Sequence, residues 1–288
     1  MKNLLPRIKL VLSRLVFYRT EEEVNFSFGW FIAFVLMQTV VFMTLVYTFC
    51  YFAHRDYIPV QLHAAWWAYL ACFLVARLIM SLFEYLFHRY ALHRIAFRWL
   101  ATFKECHTEH HSLTMALQAR YPITAADQIE SSSFPGYALV SFWGVFSLII
   151  IPAQIVLPGL PVLITGYLAV VFSFSLYEIV HAIEHLDYEQ YWKKWTDRSK
   201  RIRKIYGFHL IHHWHHSYNQ AVGGFAGIAL WDWVFRTRYV PDKLPLEVLE
   251  EPWRPVDPLP KPRWPISALD RLVMRRHQRL TAQLKIRP

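Results

Sequence analysis

Cysteine is scarce in this 288-residue chain, with only Cys50, Cys72 and Cys106 present. They show no pairing pattern, and two of them fall inside apolar runs, so neither a disulfide framework nor an iron–sulfur ligand set can be built from them. Glycine is sparse as well, at nine residues. No Gly-x-Gly-x-x-Gly fingerprint for a dinucleotide appears, nor any flavin or haem-binding signature. Acidic residues are outnumbered 21 to 31 by lysine and arginine, for a net charge of +10. No nucleic-acid-binding motif accompanies that charge, so no nucleic-acid partner is expected. Contact with anionic lipid headgroups suits it better.

Charge is also missing from long stretches. The chain is 55% hydrophobic and 17% aromatic, and four apolar runs reach the roughly 20 residues needed to cross a bilayer. They cover about Phe28–Phe52, Ala64–Phe87, Phe134–Leu157 and Val162–Val180. Residues 53–63 join the first two, and Pro158-Gly159-Leu160-Pro161 joins the last two. Five of the 31 basic residues lie in residues 1–25, five in 88–133 and nineteen after residue 181. Basic loops stay cytoplasmic, so both termini are expected on the cytoplasmic side, in a bacterial inner membrane or the endoplasmic reticulum. Residues 1–25 read as a basic amphipathic segment lying on the membrane surface rather than a signal peptide, because basic residues interrupt the apolar ones. Residues 26–240 read as one membrane domain, and 241–288 as a Pro-rich basic cytoplasmic tail with a short helix over Ile266–Leu284. The stretch between His185 and His209 carries Trp192, Trp195 and a basic run, and is expected to be an interfacial helix.

Histidine is what the chain has in excess. Twelve of its fifteen histidines sit in two windows, each directly after a pair of apolar runs. The first window holds His88, His93 and then His107-x-x-His110-His111. The second holds His181, His185 and then His212-x-x-His215-His216. Imidazole is the commonest protein metal ligand. Residues at i, i+3 and i+4 share a helix face, so each triplet is expected to aim at one point, as is the pair His181 and His185. His88 and His93 are five apart, which suits a straight helix less well. The end of the second span is expected either to unwind there or to carry a π-bulge. Ten imidazoles exceed what one metal can use and suit two, though ligand type alone does not choose the element. His209 and His213 stay open, because His209-x-x-His212-His213 spells the same pattern one register earlier. The fold expected is all-α and integral to the membrane, a four-transmembrane-helix bundle with a cytoplasmic histidine-rich metal-binding cap.

The stretch Glu84-Tyr-Leu-Phe-His88-Arg89-Tyr-Ala-Leu-His93 resembles the first histidine box of the fatty acid hydroxylase / sterol desaturase superfamily. His212-His-Trp-His215-His216-Ser-Tyr-Asn219, followed by Gly223-Gly224-Phe225 and Trp231-Asp232-Trp-Val-Phe235-Arg-Thr237, is similar to the last box and its closing motif. Arg236 stands where the family usually has glycine. The resemblance covers about residues 70–240 and chooses the later register, with His212, His215 and His216 as ligands. It implies a fatty acid hydroxylase-like catalytic domain over 26–240 with two iron ions, a di-iron centre that activates O2. The reaction implied takes hydrogen from an unactivated C–H bond of a lipid and ends in hydroxylation, or alternatively in desaturation of a lipid, sterol or carotenoid-type substrate. Zinc has no redox chemistry and would not serve.

Glu84, Glu109, Glu178 and Glu184 lie within about a turn of the histidines and are candidates to orient imidazole N–H groups. Arg77, a charge inside the second span, needs a partner, either Glu84 or a polar group of the substrate. The reaction needs electrons that the chain has no group to supply, which implies an external donor such as a ferredoxin or a cytochrome b5-like protein, steered by the basic face. A metal transporter or sensor is the reading from another class, but it would place ligands near the bilayer midplane on broken helices.

Overall fold

The computed structural model describes residues 28–116, 134, 136–242, 244 and 259–284. The expected surface segment of residues 1–25 lies outside them. Among the described residues every regular element is helical. They are α1 (Phe28–Ala53), α2 (Tyr57–His63), α3 (Trp66–Phe87), α4 (Ala101–Ala116), α5 (Ala138–Val156), α6 (Val162–Glu184), α7 (Lys193–Arg198), α8 (Lys200–Trp214), α9 (Leu230–Val234) and α10 (Ile266–Leu284). Among the described residues, four segments are long and apolar enough to cross a membrane: Gly29–Ala53, Trp66–Leu92, Ala138–Val156 and Val162–Glu184. These are the four apolar runs of the sequence, and the protein is integral to the membrane. The second and fourth run further than the apolar pattern alone, because each carries histidines on its last turns.

The chain divides into two compact units, and the boundaries at 80/81 and 179/180 fall inside helices. One unit comprises residues 1–80 and 133–179, the other 81–132 and 180–288. The first is built from membrane-crossing helix. Its packed centre is aromatic: Trp143 is fully buried, stacks on Phe42 at 4.1 Å, and has Tyr167 edge-on to that same Phe42 at 5.0 Å. Its outer face keeps large apolar side chains exposed, Phe52 and Leu148 among them, as lipid contact requires.

One polar knot interrupts this unit. Gln154, buried in α5, accepts from Val162 N and Leu163 N at 3.1 Å each, and Gln61 on α2 donates to Gln154 at 2.9 Å while accepting from Ile164 N at 3.1 Å. The first N–H groups of a helix have no partner within it, so two glutamines satisfy the start of α6 where water cannot. Arg77 is buried in the same unit, hydrogen-bonded to Ser173 Oγ and facing the Phe172 ring at 5.0 Å.

The second unit holds all the clustered histidines. Between His185 and His209 the chain forms a π-helical turn (Tyr188–Trp192), α7 and α8, not the single helix expected from sequence. The break falls at Ser199, whose extended backbone starts α8 and whose side chain accepts from Ile202 N at 3.4 Å, an N-cap. Trp192 is partly buried against Tyr206 and donates to Ile183 O at 3.1 Å. Trp195 is the exposed tryptophan of the pair. The tail helix α10 covers the residues expected for it and packs within this unit.

Candidate metal centre

Two sets of five histidines converge. The first set is His88, His93, His107, His111 and His212, and the second is His110, His181, His185, His209 and His213. Within each set one ring nitrogen per residue lies within 4.8 Å of all the others. Every member is buried except His93, which is partly so.

Helix geometry explains the sorting and corrects one expectation. At about 100° per residue, i+4 sits roughly 40° to one side of i, while i+3 sits roughly 60° to the other. His107 and His111 therefore share the first cluster while His110, between them, turns to the second. On α8, His209 and His213 share the second cluster while His212 turns to the first. The three histidines of a triplet do not aim at one point. Each triplet serves both clusters, and its middle histidine crosses over.

The register that the structure gathers differs from the one the resemblance chose. The structure gathers His88, His93, His107, His110, His111, His181, His185 and His212, and adds His209 and His213. It leaves His215 and His216 out of both groups. The reason is the helix end: α8 stops at Trp214, and His215 has left helical geometry with φ −131° and ψ 79°. Only the earlier register lies wholly on the helix. His216 is exposed, with its ring stacked on His93 at 4.8 Å and near His111 at 4.6 Å.

A π-helical turn spans His88–Leu92, and His93 N closes it onto His88 O at 3.3 Å. This wider turn brings residues five apart onto one side, which is the π-bulge expected from sequence rather than the unwound alternative.

The nitrogens of the first cluster are spaced for a shared ion. His88 Nδ1 donates to Gln220 O at 2.5 Å, and His212 Nδ1 donates to Tyr218 O at 2.8 Å. A carbonyl only accepts, so Nδ1 carries the proton in both rings and each Nε2 presents a lone pair inward. His107 Nε2 lies 3.0 Å from His88 Nε2, 3.2 Å from His93 Nε2 and 3.0 Å from His111 Nε2. His93 Nε2 lies 2.9 Å from His212 Nε2. One ring proton cannot serve three neighbours. Nitrogens bound about 2.1 Å from one ion are about 3 Å apart at right angles and about 4 Å apart across it, so the donor set fits a metal. In the second cluster His209 Nε2 lies 3.2 Å from His185 Nε2 and 3.1 Å from His213 Nε2, the same spacing.

Burial first, and then repulsion among neighbouring imidazolium charges, hold His93, His107, His110, His111, His209 and His213 well below the ordinary histidine range. Burial does the same to His212. These rings are neutral at neutral pH, the state in which a histidine ligates.

The surroundings of the two clusters differ. The carbonyls that receive His88 and His212 belong to the loop after α8, and carboxylates hold that loop. Glu84 accepts from Val222 N, Gly223 N and Gly224 N at 2.7, 2.9 and 3.0 Å. Asp232 accepts from Gln220 N and Ala221 N at 2.9 Å each and from Thr237 Oγ1 at 2.7 Å. Gly224 has φ +52°, and a Cβ there would meet Ile228 O at 2.5 Å, so both backbone and space require glycine. Arg236 also has a positive φ, +55°, which accounts for the glycine usual at that position in the motif it resembles. At the second cluster a carboxylate approaches a ring directly: buried Glu184 Oε2 is 3.6 Å from His209 Nδ1.

Of the four glutamates singled out by sequence, Glu184 stands beside a cluster ring, and Glu84 reaches the first cluster through backbone. Glu178 is buried in the other compact unit, where it accepts from Phe134 N at 3.2 Å. Glu109 is exposed on α4. Sequence reasoning missed Asp232 as a support, although it sits in the quoted Trp-Asp motif. Two of its donors are the backbone N–H groups of Gln220 and Ala221, which leave no trace in side-chain spacing.

A family model described as fatty acid hydroxylase matches residues 73–237, more than half of the chain. No curated protein and no solved structure matches.

Proposed function

The chain belongs to the fatty acid hydroxylase family, and from that premise we propose that it is an O2-dependent membrane oxygenase that hydroxylates a C–H bond of a lipid. The observation that carries the reading is the sorting of ten imidazoles into two groups of five at ligand spacing. The first group would hold one metal ion and the second another, with iron as the element the family uses. A bound iron pair supplies the one-electron and O2 chemistry that an unactivated C–H bond demands. The protein's own residues do the rest. Neutral, buried imidazoles keep the site free of competing protons. The carbonyls of Tyr218 and Gln220 fix which nitrogen of His212 and His88 faces inward, and the Glu84 and Asp232 carboxylates hold those carbonyls still.

Electrons come from a separate donor, a ferredoxin or a cytochrome b5-like protein, on this reading. The excess of basic residues suits an acidic partner, and its contribution is expected to fall with added salt. The cytoplasmic placement of the clusters rests on the positive-inside distribution of lysine and arginine.

The test is comparative lipid mass spectrometry on membranes holding the wild-type chain or His212→Ala, each supplied with iron and a donor system. A lipid that gains one oxygen only with the wild type supports hydroxylation. A lipid that instead loses two hydrogens replaces hydroxylase with desaturase. Metal taken up with no lipid changed, across a broad panel of supplied lipids, overturns the oxygenase reading in favour of metal handling.

A further inference from the structure

The helix α10 lies beyond the matched region, at Ile266–Leu284, yet it grips the segment that carries the first histidine box. Asp270 receives Arg89 through a two-pronged contact, Nε at 2.9 Å and Nη2 at 2.6 Å. It also receives Arg94 Nη1 at 2.5 Å and Tyr90 OH at 3.0 Å. One turn and more along the helix, His277 Nδ1 accepts from Ile95 N at 3.1 Å, and Arg276 lies over the Phe97 ring at 4.8 Å. Arg89 is 1% exposed and Arg94 8%. Each directly follows a histidine of the first cluster, His88 or His93.

Two consequences follow from that placement. The π-helical turn that brings His88 and His93 together is held from outside by one carboxylate. The same carboxylate pairs with two buried guanidinium groups beside a site built to receive a cation. Removing one partner of a buried ion pair leaves the other charge uncompensated. Here two charges would be left, both next to ligands. Arg89 also donates to Ser217 O at 2.5 Å, one residue before the carbonyl that orients His212, so the disturbance would reach a third ligand.

We propose that Asp270 is a positioning residue for the first histidine cluster, and that α10 is a clamp without which this cluster, but not the second, loses its hold on metal. The proposal rests on reading the clusters as a metal centre.

The test uses the full-length protein in lipid nanodiscs loaded with isotopically enriched iron, with metal content by mass spectrometry and iron environments by Mössbauer spectroscopy. The wild type is expected to hold two irons. Asp270→Asn is expected to weaken one of the two sites by about 10- to 100-fold, the range for partners that support a ligand, while the other keeps its iron. Asp270→Glu, which preserves the charge, is expected to recover most of the lost affinity. Where Asp270→Asn does not accumulate, His277→Ala loosens the same segment without stranding a charge and is expected to weaken the same site several-fold. Unchanged affinity at both sites in the variant that accumulates would overturn the proposal. So would equal weakening of both sites in a variant that retains its helicity. A wild-type chain that takes up no metal would overturn the metal-centre reading itself, an outcome distinct from either.

Discussion

The two clusters are built to one recipe and finished differently. Each takes a pair of histidines from the end of a membrane-crossing helix: His88 and His93 after α3, and His181 and His185 at α6. Each adds an i, i+4 pair, His107 with His111 or His209 with His213, and borrows the middle histidine of the opposite triplet. Beyond the imidazoles the likeness ends. The first cluster leans on carbonyls of a loop that Glu84 and Asp232 hold in place. The second has a carboxylate beside a ring. A neutral carbonyl fixes a tautomer. Glu184, at 3.6 Å from His209 Nδ1, lies beyond hydrogen-bond distance and acts on the ring by proximity alone. The ligand sets alone would make the sites alike, and their surroundings make them unequal.

The largest expected effect attacks what the clusters share. His110→Ala is expected to weaken the second cluster and His212→Ala the first, each by more than the roughly 10- to 100-fold range for supporting residues. Each substitution thus strikes the site built mainly by the other half of the chain. Metal titration of the two variants, with iron environments read separately, checks this. Loss at the first cluster from His110→Ala would dissolve the crossed arrangement.

A smaller effect sharpens the difference. Asp232→Asn places an amide NH2 where a carboxylate now accepts from Gln220 N and Ala221 N, and a buried N–H left without an acceptor costs about 1–3 kcal/mol. It is expected to weaken the first cluster and lower thermal stability. Glu184→Gln is expected to weaken the second cluster with little change in stability. Calorimetry and metal competition on the pair should show opposite site preferences, and identical profiles would mean the surroundings do not distinguish the sites.

The effect of pH is expected to be common to both clusters and so distinguishes them least. Seven of the histidines are held well below the ordinary range by burial and mutual repulsion. In the metal-free protein, the unfolded chain takes up protons below about pH 6.5 while the folded clusters do not. Stability is therefore full above that value and falls as pH drops below it, until the depressed folded values are reached. Thermal melts of metal-free protein between about pH 7.5 and 5.5 measure this. A flat profile would mean that the rings protonate in place.

Much of this was legible in the sequence because it is periodic. The four apolar runs are the four long helices, the five-residue gap between His88 and His93 is a π-helical turn, and Ile266–Leu284 is a helix as its composition suggested. What escaped was directional. That His212 belongs with His93, and that His215 and His216 fall past the end of α8, depends on where the helix stops and how far each side chain is rotated. Motif spelling permits both registers, and the resemblance selects the one that runs past the end of α8. The support from Asp232 and Asp270 was invisible for another reason. Asp232 acts on backbone N–H groups, and Asp270 acts across a long chain separation on arginines that look like ordinary surface charge until they are seen buried.

The crossed histidines carry a last consequence. A segment ending before α5 holds four of the five nitrogens for one ion and a single one for the other. The segment from α6 onward holds the complementary four and one. Neither piece is a smaller version of the whole, and neither is a site with a part missing at random. Each lacks the one imidazole that its counterpart has to spare. The two halves are thus mutual lenders, and a complete pair of sites exists only where both are present in register.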